Sequence, residues 1–258
     1  MVNGLQTSQE LYQYFSQNED KLADKRKILV RVIKSESSES QDRIIRATNR
    51  QTAISGAQLH STEGIHRDIE RIFPPRLFYD RRGNNWKYKD KPKDSVVGIR
   101  ELAQIVLAIF QQRPDSARAR PGETFAKKNV AIYEALFPSE KQLPLNLYLS
   151  CARLHKRVER FLRTVTPKLD RRIRNDLRFY VSMCVTCLAA KTAALSAEDL
   201  AALEVDGIAE TTFSEALDVV KKIYDKRGGT EKVAKGSDLL ADLKATLAKR
   251  FPSIRFRR

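Results

Sequence analysis

The sequence predicts a mainly α-helical protein with a small α+β part at its N-terminal end. Three observations predict it. Gly (10) and Pro (9) are scarce in 258 residues, so few positions break a helix. Long Ala-, Leu-, Lys-, Arg- and Glu-rich stretches carry apolar residues at three- and four-residue spacing. Only two stretches, both near the front, read as β structure.

Taken in order, residues 5–16 form a helix with Leu11, Tyr12 and Phe15 on one side. KILVRVI (27–33) alternates and is β-branched, so it is a strand. SESSES (35–40) is a polar linker whose last Ser can cap a helix over 41–49. Ile65, Ile69, Ile72 and Phe73 place a helix over 63–73, which Pro74-Pro75 ends. LFYDRRGNNWKYK (77–89) reads as a hairpin turning at Gly83-Asn84-Asn85. A buried helix over 95–112 is followed by a loop, RPDSARARPG, over 113–122. Helices are then expected over 127–137, 144–164, 168–194, 210–227 and 237–250. There is no internal repeat. The expected division is an α+β core over 1–94, a helical region over 95–165 and a helical C-terminal region over 166–258.

With 41% hydrophobic and 31% charged residues, the chain can bury a core beneath a heavily charged surface. The net charge of +16 and a pI near 9.9 attract polyanions. The excess is concentrated: residues 91–180 carry 19 basic and nine acidic groups, against a balance of +4 before them and +2 after. Three widely spaced cysteines argue against a secreted disulfide framework. The opening MVNGLQTSQELYQYF has no basic or apolar leader pattern, and the most apolar window, Val96 to Phe110, contains Arg100 and Glu101. A soluble, cytoplasmic protein without a membrane partner is expected.

Three motifs carry candidate binding chemistry. Asn3, Gly4, Gln6 and Thr7 form a small polar turn before a helix, which offers free N–H groups and a positive dipole end to a phosphate; a plain helix start is the alternative. Asn49 and Gln51, in ATNRQT, can pair with adenine edges or clamp a ribose-phosphate, or Asn49 can simply cap a helix. Arg81 and Arg82, in FYDRRG, suit phosphates at a hairpin tip. Strand alternation sends them to opposite faces, so one of them can be structural.

In this order the motifs resemble the abortive infection phage resistance (AIPR) family. Its pattern is V-N-G-x-Q-T, a strand, A-T-N-x-Q, an L-[RH]-S segment, an aromatic-acid-basic-basic-Gly hairpin and a buried helix with L-A-Q. Here the last pieces are Leu59-His60-Ser61 and Leu102-Ala103-Gln104, and Arg113 to Arg118 fit the family's Pro-x-x-Ala-Arg loop. The resemblance covers about residues 2–165. Leu5, Asp80 and Thr62-Glu63 depart from the pattern. The turn–helix–strand order of 2–33 is also similar to the ParB/sulfiredoxin-like nucleotide-binding core.

The resemblance implies an anti-phage defence component that binds nucleic acid (DNA or RNA) or nucleotide. It also implies a PD-(D/E)XK nuclease-like region ahead of V-N-G-x-Q-T, absent from this sequence and expected to be both partner and source of catalysis. The only E-x-K here is Glu19-Asp20-Lys21 in a polar helical stretch, so the chain alone is not expected to be an enzyme. Without an upstream strand, KILVRVI would have an unpaired edge and the front 35 or so residues would be only partly ordered. The alternatives are a protein-interaction or regulatory module, and a nucleotide-sensing core built on Asn3 to Thr7.

The most basic stretch lies between Arg153 and Arg178. Arg153, Arg157 and Arg160 follow helical spacing, and Arg171, Arg174 and Arg178 repeat the pattern after Thr166-Pro167. Two antiparallel helices with basic outer faces could track a phosphate backbone; a solvated face or pairing with acids of the absent region would look the same. Cys151-x3-His155 and Cys184-x2-Cys187 have helical spacing that two helices could close around zinc, but their apolar setting favours buried thiols. Neither a metal nor a cofactor is expected, and His60 and His66 receive no role.

Overall fold

The computed structural model describes residues 5–18, 27, 29, 37 and most of 56–251; outside it lie 84–89, 121, 127–128, 140–142 and 193–195, together with the remaining N-terminal residues and 252–258. The chain divides into two compact units, Met1–Ser55 and Gly56–Arg258. In the first, helix α1 spans Leu5–Gln17, as the sequence predicts. Leu11 and Phe15, one turn apart, are half-buried, whereas Tyr12 is exposed. Asn18 donates to the Tyr14 carbonyl at 2.8 Å and closes the C-terminal end. The strand expected over 27–33 and the helix over 41–49 lie almost wholly outside the described residues; Lys27 and Leu29 belong to no element.

The second unit opens with α2 (Gly56–Leu59) and α3 (Gly64–Ile72). Strand β1 (Phe78–Asp80) follows and pairs in parallel with β2 (Val96–Gly98), Tyr79 lying opposite Val97. The described partner of β1 is therefore not a hairpin return strand; residues 84–89 are outside the description. It also corrects the helix expected over 95–112, which begins only at α4 (Ile99–Ile109). Val96 and Val97 are β-branched and gain a ladder in the strand, and Gly98 then takes the extended N-cap conformation (φ −86°, ψ 166°). A second correction is α5 (Pro114–Ala119), where a loop is expected. Pro114 in the first turn, with Asp115 near the start and Arg118 near the end, is a sound helix signature that the flanking prolines and glycine obscure.

The remaining helices are α6 (Val130–Leu136), α7 (Leu145–Thr164), α8 (Arg171–Ala190), α9 (Ala197–Ala201), α10 (Glu210–Lys226), α11 (Glu231–Lys235) and α12 (Ser237–Arg250). The short α9 and α11 are not expected from the sequence. Each opens on a hydroxyl cap: Ser196 forms a capping box with Asp199, and Thr230 accepts from the Val233 N–H.

Helix α8 is the axis of this unit. Every residue from Phe179 to Leu188 is buried, because α4, α5, α7, α10 and α11 all pack against it. That is why VSMCVTCL shows no polar stripe. Helix α7 runs antiparallel to α8: His155 meets Ser182 and Glu159 meets Arg178, so the register descends on one helix as it rises on the other. The described part of the molecule is thus mostly helical with one small parallel sheet, and no described helix is long and apolar enough to cross a membrane.

Candidate nucleic-acid interface

Helix α7 buries Leu147, Cys151, Leu154, Val158 and Leu162. Its cations emerge around the edges of that stripe and meet different fates. Arg157 turns back on the protein: it donates to the Val205 carbonyl and, at 2.9 Å, to that of Ile208, and lies 4.8 Å from the Phe213 ring centroid. Lys156 is buried, with Glu101 at 2.6 Å and Glu159 at 3.5 Å. Arg178, from α8, completes this cluster at 2.9 Å from Glu159 and lies over the Phe179 ring at 4.7 Å. Arg153 is half exposed and pairs with Asp206. Arg174 donates to the Leu169 carbonyl at 2.7 Å and braces the inter-helix turn.

At the turn end of the hairpin the cations face outward. Arg160, Arg163, Lys168 and Arg171 are all exposed. Among the described residues, Arg160 makes a long 3.4 Å contact to its own helix, and Arg163 a 3.4 Å pair with Asp94 in which both groups are solvated. Such exposed pairs hold a side chain weakly. Arg172 is also exposed, and its guanidinium donates to the Gly229 carbonyl at 2.9 Å.

Arg81 and Arg82 lie in the bend that follows β1, not in a strand, and meet different fates. Arg81 is largely buried, 2.7 Å from Glu70 and 2.7 Å from the Ser61 carbonyl, whereas Arg82 is exposed. The turn closes through Gly83 at φ +62°, whose N–H donates to Asp80 at 3.0 Å. Asn3, Gly4, Asn49 and Gln51 lie outside the described residues, and Gln6 and Thr7 are described only as backbone of α1.

Two buried polar networks went unseen in the sequence. In the first, Glu63 accepts from the Tyr133 hydroxyl and from His60 Nδ1 at 2.7 Å. With its proton on Glu63, Tyr133 accepts from His66 Nε2 at 2.9 Å, which leaves His66 Nδ1 to accept from Tyr79 at 2.7 Å. This order needs a neutral His66, and burial pulls its pKa down to about 3. Burial also pulls Glu63 upward, but its hydrogen bonds to His60 and Tyr133 outweigh that and hold it below the usual range. In the second, Asp176 on α8 is fully buried and accepts from Arg118 at 2.8 Å and from Tyr224 at 2.8 Å. His60 and Glu63 are three residues apart, but the other partners lie 13 to 70 residues apart in the first network and 48 to 58 in the second, so local spacing does not reveal them.

Cys151, Cys184 and Cys187 are free and buried. Burial pushes the Cys151 and Cys187 thiols up to about 12, which disfavours the thiolate that a metal would need. His155 Nδ1 is engaged at 2.8 Å by Ser182, whose own proton goes to the Arg178 carbonyl. Among the described residues no group of three or more His, Cys, Asp or Glu side chains is placed to hold a metal ion.

Fold and surface together define a class: a mostly helical protein with a hairpin that buried Asp176 ties to neighbouring helices and whose turn end is basic and outward-facing. The chain belongs to the AIPR protein family, whose sequence model matches residues 1–235. Membership suggests a role in abortive infection, a defence against phage. No curated protein and no solved structure matches the chain significantly.

Proposed function

We propose that this AIPR protein binds nucleic acid through the turn end of the α7–α8 hairpin, and that a nuclease-like region ahead of the present sequence supplies catalysis in phage defence. The observation that carries the reading is the division among the cations: Lys156, Arg157 and Arg178 are tied into the fold, while Arg160, Arg163, Lys168 and Arg171 are exposed together at one end. Arg82 is a second exposed cation of the same kind. The nucleotide reading rests on Asn3 to Thr7 and on Asn49 and Gln51, and no contact among described residues favours it.

The test is binding of labelled DNA to the full chain over a salt series. Four phosphate contacts give a slope of log affinity against log salt of roughly −3 to −4. Reversing Arg160, Lys168 and Arg171 together to Glu should weaken binding by more than about tenfold and make the slope shallower by roughly 0.9 per lost contact. A flat salt response, or a triple variant that binds like the parent, would favour a protein-docking role for this surface instead.

A further inference from the structure

We infer that the hairpin end takes double-stranded rather than single-stranded nucleic acid; this rests on the reading above that the surface binds nucleic acid at all. Proteins that hold single strands without sequence preference add stacking platforms to a basic groove. The two aromatic side chains of the hairpin nearest this end face inward. Phe161 is 8% exposed and packs on Phe213 at 5.8 Å; Phe179 is 1% exposed, stacked on His155 at 5.0 Å and covered by Arg178. Among the described residues of the hairpin, neither of these rings offers a face to an unstacked base.

What the surface does present suits phosphates. Between 160 and 175 the exposed side chains include Arg160, Arg163, Lys168 and Arg171, with Thr166 and Asn175 as neutral donors of the kind that hold backbone oxygens. The single exposed acid in this stretch, Asp170, is the N-cap of α8, where the helix dipole offsets its charge. Arg160 and Arg163 stand near the end of one helix, Arg171 opens the next and Lys168 lies in the turn between them, so the spacing of the three helical cations is set by packed backbone. A duplex brings one charge per about 1.7 Å of axis to such a patch, and a single strand one per about 3.4 Å. A patch of fixed size therefore meets more phosphates on a duplex and releases more counterions.

The experiment compares a duplex of about 20 base pairs with each of its strands alone, all against the full chain, between about 50 and 200 mM salt, the range over which phosphate contacts are strongly screened. The duplex is expected to bind at least about tenfold more tightly near 100 mM salt, with a slope near −3.6 where a strand making four contacts would give about −2.8. Permuting the duplex sequence should leave its affinity unchanged. A strand that binds as tightly as the duplex, or more tightly, overturns the inference and leaves the nucleic-acid reading standing. Failure of duplex and strands alike overturns that reading itself. The variant Arg160→Gln/Arg171→Gln, exposed at both positions, should lose most of the preference; a preference that survives it would place the binding surface elsewhere and likewise overturn the inference.

Discussion

Replacing Asp176 with Ala is expected to lower the stability of the folded chain by about 3–5 kcal/mol, the usual cost of removing one partner from a buried ion pair. Asp176 has no exposed surface, and its two oxygens serve different elements. Oδ1 takes both Nε (3.2 Å) and an Nη (2.8 Å) of Arg118 from α5, and Oδ2 takes the Tyr224 hydroxyl (2.8 Å) from α10. Its loss leaves a guanidinium that is only 20% exposed and a buried phenol without their acceptor. The 3.0 Å contact from Arg118 to the exposed Glu231 survives and places the cost toward the lower end of the range. Chemical denaturation measures the effect as a shift in midpoint at constant m. A loss below about 1 kcal/mol would mean that the α5–α8–α10 junction does not depend on this carboxylate. Glu231→Ala serves as the exposed control and should change little.

Acid should destabilise the protein steeply between about pH 6.5 and 4, because two fully buried histidines must take up protons to which the fold gives no room. Burial lowers the pKa of both His66 and His155 to about 3. Each folded value lies below the unfolded one near 6.5, so the stabilisation is complete above pH 6.5 and is lost as pH falls toward 3. Each group contributes a slope of about 1.4 kcal/mol per pH unit, so the pair gives up to about 2.7. Glu63 and Glu159 are held below the usual carboxylate range and act in the same direction at the acid end. For Glu159, burial pulls upward, but electrostatic attraction to His155, Lys156 and Arg178 and the hydrogen bond from Arg178 outweigh it. Unfolding curves at a series of pH values provide the check. His155→Gln should remove about 1.4 kcal/mol per unit from the slope. A stability that stays level from pH 6.5 to 4 would show that both histidines carry a proton in the folded chain.

Much of the fold is legible from periodicity alone. The helix expected over 144–164 is Leu145–Thr164, and the one expected over 237–250 is Ser237–Arg250. Long amphipathic runs repeat their signal through four or five turns, so a local misreading averages out. Short elements lack that redundancy. Helix α5, with six residues, reads as a loop, and Val96–Gly98 reads as the first turn of the helix that follows it. The parallel partner of β1 lies across 15 intervening residues and leaves no turn signature between neighbours.

The candidate surface divides in the same way. By itself the sequence determined that the protein is basic, that the excess charge gathers between Arg153 and Arg178 on two helices, and that the ordered motifs are those of the AIPR family. Charge and heptad-like spacing are properties of the chain and survive without knowledge of neighbours. Only the tertiary structure decided which arginines remain available. Arg157 and Arg160 lie on one stripe of one helix and look equivalent in sequence, yet Arg157 donates to carbonyls about 50 residues away while Arg160 faces solvent. The same holds for His66, which resembles any helical histidine until Tyr79 and Tyr133 arrive at its two nitrogens. A side chain's protonation and availability depend on what the packed fold brings within about 3 Å, the reach of a hydrogen bond, and that proximity is fixed by elements distant in sequence.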